Sequence, residues 1–559
     1  MKKHYTAIGD FEIDGKLATI SGVRFTTADS CYWVAKNLKP IRIITTKSIG
    51  PEPRPGFDLP VIRQVAPNLL MNAVGLSNPG VDAWIEEIKQ YFPLPNQKFL
   101  FTSIFGKNEN EFVDIARKVA PFTNGVELNV SCPHVAGHGM QIGQDPLEVK
   151  LITKAVVSAV DVPVSVKLTP NVNNIQEIAK AAYDGGADAI SAINTIGPGD
   201  NDELSNKFGG LSGAAIRPVA LRCIRQIAEA VDLPLLGMGG IDSADAIRAF
   251  EKRGADFFGI GTAMLGMDNR ILTSFINGLE ADLKTGANDA ETYVYKGMLT
   301  DYIRFKVQET KSFGKDIKIL YFDRPFNAEP GQFVFVKYDG KERPFSVADN
   351  HPFTLAIKNV GCLSSKLVNV EPGEVLEVRG PYGKGLPSRL PYGSKAHIVI
   401  GGMGVAPLHS LAKNLSAPIT LFLGAKNKEE LLFLDDFIEL QRKGNIKELI
   451  IATDDGSRGF KGTVVQALEN YLTNEDIGGI FYNCGPPIML ENAVRVEKQY
   501  TNLKNIHSLA ETNMKCGIGG CGSCSNGKGE LLCVHGPGMQ GDFDKTFIRD
   551  KAGKRIYKT

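Results

Sequence analysis

The chain has 559 residues, 43% hydrophobic and 22% charged, the balance of ordinary soluble globular protein; its length calls for three or four domains. A formal charge of +1 gives no footprint for nucleic acid or an anionic membrane. The opening MKKHYTAIGDFEIDGK lacks the apolar centre of a signal peptide and no run of about 18 apolar residues occurs, so a cytoplasmic protein is expected, its cysteines reduced or metal-bound rather than paired.

From Leu17 to Ala263, eight short apolar runs alternate with amphipathic stretches: LATISG, IRIITTK, FLFTSIFG, VELNVS, VSVKLT, AISAIN, LPLLGMGG and FFGIGTA. Continuous apolar runs suit parallel strands buried on both faces. Asp145 and Pro146 supply an N-cap and a first-turn proline for one intervening helix. Eight β-α units in about 250 residues predict a TIM (β/α)8 barrel.

The ends of these runs carry Ser21 and Gly22, Thr46 and Lys47, Ser103, Asn129 followed by Cys132, Lys167, Asn194, Gly239 and Gly240, and Gly261 and Thr262. In a barrel they converge on the C-terminal rim, where active sites are built, and the glycines on strands seven and eight suit a phosphate. A lysine closing a strand is ordinarily solvated, but two at one rim are better explained by a bound anion or flavin. A flavin needs a phosphate cradle and a cation near N1–C2=O, so the barrel predicts an FMN oxidoreductase.

The stretches TKSIGPEPRPG, NAVGLSNPG, ELNVSCPH, VKLTPNV, INT, GGLSGAAIRPVALR, GMGGI and GTA together resemble the catalytic chain of class 1 dihydroorotate dehydrogenases. The resemblance implies Cys132 as catalytic base, its alternative fate being a small buried hydrophobe. It implies Asn72, Asn129 and Asn194 on the pyrimidine ring, with Gly75, Leu76 and Thr195 beside them, and Lys47 and Lys167 touching flavin and substrate. Ser21, Gly22, Gly213, Gly239, Gly240, Gly261 and Thr262 would complete the FMN site. Two features depart from the family: His134 after SCP, and ATISGVRFTT in the first strand. SCPH also resembles the uracil-reducing domain of dihydropyrimidine dehydrogenase, so an NAD(P)-dependent uracil or thymine dehydrogenase is the alternative.

After GANDAETY, a linker-like stretch, short alternating strands punctuated by Gly, Pro and Asp suit a small antiparallel barrel. It contains Arg343, Pro344, Phe345 and Ser346, a pattern in which the arginine can pair with a pyrophosphate while the ring packs on an isoalloxazine. AHIVIGGMGVAPLHSLAKNL then reads as strand, Gly-rich turn and helix, and GGIFYNCGPPIM as a later strand end. This order resembles the ferredoxin-reductase family, implying FAD at Arg343–Ser346 and NAD at Gly402, Gly404, Cys484 and Gly485. Cys484 is either beside the nicotinamide or a structural strand-end cysteine.

Near the C-terminus, Cys516-x4-Cys521-x2-Cys524-x8-Cys533 has the spacing of plant-type [2Fe–2S] ligation over its first three members; zinc would favour paired C-x2-C units, and one is present. ETNMKCGIGGCGSC resembles the electron-transfer subunit of class 1B enzymes, normally a separate chain. Nicotinamide takes hydride and a cluster takes single electrons, so a flavin is needed on each side. The expected organisation is an FMN barrel over 1–288, an FAD barrel over 289–393, an NAD domain over 394–504 and a cluster domain over 505–559. The expected reaction is oxidation of dihydroorotate by NAD+ through FMN, [2Fe–2S] and FAD, in a homodimer paired through its first barrel.

Overall fold

The computed structural model describes residues 5–131, 142–290, 300–473, 478–543, 546, 548–551 and 554. They fall into two compact units: residues 1–300 with 513–531 and 546–559, and residues 301–512 with 532–545.

Among the described residues of the first unit, eight parallel strands close a barrel in chain order: β1 (Leu17–Thr19), β2 (Ile41–Thr45), β3 (Phe99–Ile104), β4 (Gly125–Asn129), β5 (Val164–Leu168), β6 (Ala189–Ala192), β7 (Leu235–Met238) and β8 (Phe257–Ile260). Each falls within or against one of the eight apolar runs, and nearly every strand residue is buried, as strands covered on both faces require. Residues two apart share a strand face. One cluster joins Ala18, Ile43, Phe99, Phe101, Ala189, Leu236 and Phe257 to Ile8 and Ile13 of the amino-terminal segment. Two residues on from Ile43, Phe101 and Ala189, toward the strand ends, stand the polar Thr45, Ser103 and Ser191, and Asn129 and Lys167 pair with each other at the ends of β4 and β5. An apolar floor beneath a polar upper layer puts the chemistry at the C-terminal rim.

The eight-run reading omits a four-stranded antiparallel sheet ordered Ile196–Asp200, Phe208–Ser212, Leu69–Asn72, Ile62–Ala66. Its strands come from the loops after β2 and β6 and contribute to the rim.

In the second unit, six antiparallel strands (Ile303–Phe313, Ile317–Phe322, Phe333–Tyr338, Lys341–Asn350, Phe353–Lys358 and Val375–Tyr382) close a small barrel. A seven-stranded sheet follows, ordered Phe460–Lys461, Ile446–Thr453, Ile419–Ala425, Ala396–Gly401, Ile480–Cys484, Ile506–Leu509, Gly538–Gln540, parallel except for its last strand.

Here the C-terminal organisation differs from the expectation of a cluster domain over 505–559. Ile506–Leu509 pairs in parallel with Ile480–Cys484, so the nucleotide-type sheet runs past residue 504. Residues 513–531 and the final stretch from 546 belong to the first unit, and 532–545 to the second. No helix among the described residues is long and apolar enough to cross a membrane.

Candidate active site

A cavity of about 340 Å³ opens at the barrel rim, within the range of cofactor and substrate sites. Ser21, Gly22, Lys47, Asn72, Gly75, Leu76, Asn129, Lys167, Asn194, Thr195, Gly213, Gly239, Gly240, Gly261 and Thr262 all line it. Cys132 and His134 lie outside the described residues; Ser131, the residue before Cys132, is in the wall.

Each strand delivers its side chain in a fixed pose. Asn129 donates from Nδ2 to Ser48 Oγ at 2.9 Å, and Ser48 Oγ lies 3.0 Å from both Ser21 Oγ and Ser103 Oγ. Asn194 Nδ2 donates to Asn129 Oδ1 at 3.4 Å, and Asn194 Oδ1 accepts the Thr195 N–H at 2.8 Å. Asn72, from the added sheet, donates to the Gly210 carbonyl at 3.3 Å. Three carboxamides with polarity fixed by neighbours suit a heterocycle carrying both N–H and C=O groups.

The glycines have separate reasons. Gly239 and Gly240 have φ of +111° and +95°, the left-handed side that a side chain disfavours. A Cβ on Gly213 would stand 2.2 Å from the Asn68 carbonyl, and one on Gly261 2.2 Å from Ile20 Cδ1. A Cβ on Gly22 would meet nothing within 4 Å, so the backbone there is open to a ligand. Leu76 has φ of +53°, uncommon for a branched residue, directly after Gly75 at +73°. These backbones and the two lysines fit a phosphorylated flavin.

Both lysines are buried, Lys47 8% exposed and Lys167 4%. Burial lowers the Lys47 pKa to about 8, and the neighbouring Lys515 ammonium adds to the fall. Lys515 comes from the cysteine segment, which reaches this cavity: Ile518, Gly520 and Cys521 line it. Gly520 O accepts the Arg24 N–H at 2.7 Å, Ile518 O accepts that of Gly266 at 3.0 Å, and Lys515 Nζ donates to Pro55 O and Ser77 Oγ at 2.6 Å each.

Cys516, Cys521 and Cys524 are buried in the first unit, and Cys533 is buried in a segment of the second. Among the described residues, no three or more His, Cys, Asp or Glu side chains are arranged as ligands of a metal ion. The loop does offer the donor chemistry of a cluster. Gly520 and Cys521 donate backbone N–H groups to Cys516 Sγ at 3.3 and 3.5 Å, and a hydrogen bond to Cys516, then burial, push the Cys521 thiol up.

In the small barrel, Arg343, Pro344, Phe345 and Ser346 are half-buried and pair in register with Val336, Phe335, Val334 and Phe333. Arg379, which the sequence reading did not single out, is fully buried against Glu342, donating from Nε at 2.5 Å and Nη2 at 2.9 Å, with its guanidinium 4.0 Å over Phe335. Its partner Glu342 precedes Arg343 on the strand and accepts a hydrogen bond from Arg343 Nη1 at its carbonyl, at 2.7 Å. The only sequence signal of Arg379 is an arginine closing the run EVLEVRG.

At the seven-stranded sheet the two Gly-containing turns meet: a Cβ on Gly404 would stand 2.1 Å from Cys484 O, and one on Gly485 2.5 Å from Met489 Sδ. Gly402, at φ +54°, has open space in front of it. Burial pushes the Cys484 thiol up to about 12, so it supplies no thiolate at neutral pH. Ser48, Asn171 and Ser131 were also missed at the rim; Asn171, which donates to Thr195 O at 3.1 Å, follows the Thr-Pro step after β5.

Residues 6–283 match the family model described as dihydroorotate dehydrogenase, and residues 398–495 that of an oxidoreductase NAD-binding domain. The chain is 44% identical over 249 residues to the catalytic subunit of dihydroorotate dehydrogenase B (NAD(+)) from Pyrococcus horikoshii, covering 43% of this chain and 80% of the relative. It is 39% identical over 285 residues to the corresponding subunit from Methanothermobacter thermautotrophicus, covering 49% and 92%. A solved NADH-dependent reduced ferredoxin-NADP oxidoreductase is 27% identical with a TM-score of 0.39, over 44% of this chain and 91% of that one.

Proposed function

The chain belongs to the dihydroorotate dehydrogenase family, and from that premise we propose that it converts dihydroorotate and NAD+ to orotate, NADH and a proton. The observation that carries this reading is the shared wall of one cavity, which Lys47, Asn72, Asn129, Lys167 and Asn194 line together with Ile518, Gly520 and Cys521.

In this reading the three asparagines orient the pyrimidine ring, and the Lys47 ammonium faces an anionic group of substrate or flavin. Cys132 takes the C5 proton; as a thiolate it needs access to solvent or substrate, and Ser131, its chain neighbour, lines the cavity. Ser21, Gly22, Lys47, Lys167, Gly213, Gly239, Gly240, Gly261 and Thr262 would hold FMN, Arg343 to Ser346 FAD, and Gly402, Gly404, Cys484 and Gly485 NAD. Cys516, Cys521, Cys524 and Cys533 are taken as [2Fe–2S] ligands on their spacing. When bound, the flavins exchange hydride with substrate and nicotinamide, and the cluster carries single electrons. Carrying both functions on one chain fixes their ratio and raises their effective concentration.

The reading includes a cytoplasmic enzyme and a homodimer formed through the first barrel. Exposed Leu147 and Leu151, four residues apart on the helix Pro146–Val157, are apolar surface such a pairing would cover.

Cys524→Ser tests the relay. Dihydroorotate should still bleach the barrel flavin while NADH formation is lost; NADH formation at the unsubstituted rate would overturn the route through the cysteine segment.

A further inference from the structure

Thr546 and residues 548–551 grip both ends of the cysteine segment. At one end Asn513 Nδ2 donates to the carbonyls of Asp550 at 3.2 Å and Lys551 at 3.3 Å, and Lys515 Nζ donates to Lys551 O at 3.2 Å. At the other, the Gly527 N–H donates to Thr546 Oγ1. Between them Arg549 enters the barrel's helical layer. Its Nη1 and Nη2 each lie 2.9 Å from an oxygen of Glu87, on the helix Val81–Ile88, and Nη2 lies 3.0 Å from Asp29 Oδ2, on the helix Ala28–Asn37. The three side chains are 2%, 8% and 0% exposed, and the Tyr91 hydroxyl donates to the other Asp29 oxygen at 2.6 Å.

Two buried carboxylates answered by one guanidinium fork fix a position rather than add stability, because desolvation offsets most of the attraction. The position fixed here bears on the site. Arg549 and Glu87 share a small internal cavity with Lys47, from the flavin-type pocket, and with Ser523, beside Cys524. Trp84, whose buried Nε1 has no partner among the described residues, also lines it.

We infer that Thr546 and residues 548–551 act as a strap that holds the cysteine segment in register on the barrel rim, with Arg549 as a positioning residue for electron transfer out of the barrel cavity. The electron-transfer part rests on the proposed cluster reading; the strap itself does not. Neither Arg549 nor its carboxylate partners line the rim cavity, so the strap acts through Lys515, Ser523 and their neighbours, not on the reacting ring.

The test compares the full chain with Arg549→Lys and with the triple variant Asp29→Asn, Glu87→Gln, Arg549→Met, whose neutral groups leave no buried charge unpaired. Iron and sulfide content, iron release to a chelator, amide hydrogen exchange over 516–526, flavin bleaching by dihydroorotate and NADH formation are measured. The triple variant should bleach its flavin at the wild-type rate, exchange its loop amides faster and release iron faster. Its NADH formation should fall several-fold, since single-electron transfer slows steeply as the cluster moves away from the barrel flavin. Arg549→Lys should lie between the two. Unchanged exchange in the triple variant overturns the strap, whatever the iron content. Faster exchange with NADH formation unchanged overturns the positioning role. Absence of iron and sulfide from the wild-type protein would overturn the cluster reading and the electron-transfer role with it, leaving exchange to decide the strap.

Discussion

Gly522 lies so close to Thr26 that a Cβ on it would stand 2.2 Å from Thr26 Oγ1 and 2.6 Å from the Arg24 carbonyl, at a φ of +67°. Two residues earlier, Gly520 accepts the Arg24 N–H. The glycines between the cysteines therefore serve the fit of the loop against the loop after β1, as well as any wrapping of sulfur. Gly522→Ala must move the segment away from the rim. Bleaching of the barrel flavin by dihydroorotate should persist, and NADH formation should fall at least several-fold. Equal losses in both half-reactions would contradict this division.

Cys132 is assigned the C5 proton. A positioned general base contributes about 10²–10⁴ in rate, so Cys132→Ala should lose turnover on that scale while orotate still perturbs the flavin spectrum. Turnover at the unsubstituted rate would remove the assignment.

Both the barrel and its rim were legible because the strands are buried on two faces: runs such as LPLLG and FFGI carry no polar alternation, and the residues that follow them, Gly239, Gly240, Gly261 and Thr262, fall at the cavity. The antiparallel sheet was not legible. IRQVA and IGPGD are short or interrupted by glycine and proline; each pairs with the next strand along the chain, but the two hairpins become one sheet through the pairing of Phe208–Ser212 with Leu69–Asn72, far apart in the chain. The division of 505–559 was hidden for a related reason. Cysteine spacing is a local signal, whereas Lys515 on Ser77 and Arg549 on Glu87 are contacts more than 400 residues apart in sequence. The buried Arg379–Glu342 pair likewise joins two strands of which neither shows the partner.

Lys47 is a buried cation at the cavity wall. Lys47→Met should weaken orotate binding by about thirtyfold, near the lower end of what removing one partner of a desolvated charge pair costs. A flavin-absorbance titration measures it, and an unchanged Kd would mean that the substrate carboxylate is met elsewhere.

In the second unit, Glu497 is fully buried and accepts a hydrogen bond from Asn483 Nδ2 at 2.8 Å. Burial raises its carboxyl from 4.5 to about 8, with the Asn483 bond opposing. The folded state thus binds a proton that the unfolded chain releases above about pH 4.5. This stabilisation is complete below that pH and drains away as pH rises through about 8. Glu497→Gln keeps the shape without the titration, so it should raise the melting temperature of this unit at pH 8.5 and change it little at pH 5. An equal shift at both values would contradict a buried, protonated carboxyl.

The substrate is tested most directly by an anaerobic titration of the purified protein with dihydroorotate and, separately, with dihydrouracil, following flavin bleaching and NADH. The account predicts bleaching and NADH with dihydroorotate alone. Bleaching and NADH with dihydrouracil alone would contradict it, and would direct attention to His134 and to the first strand with Arg24 behind it.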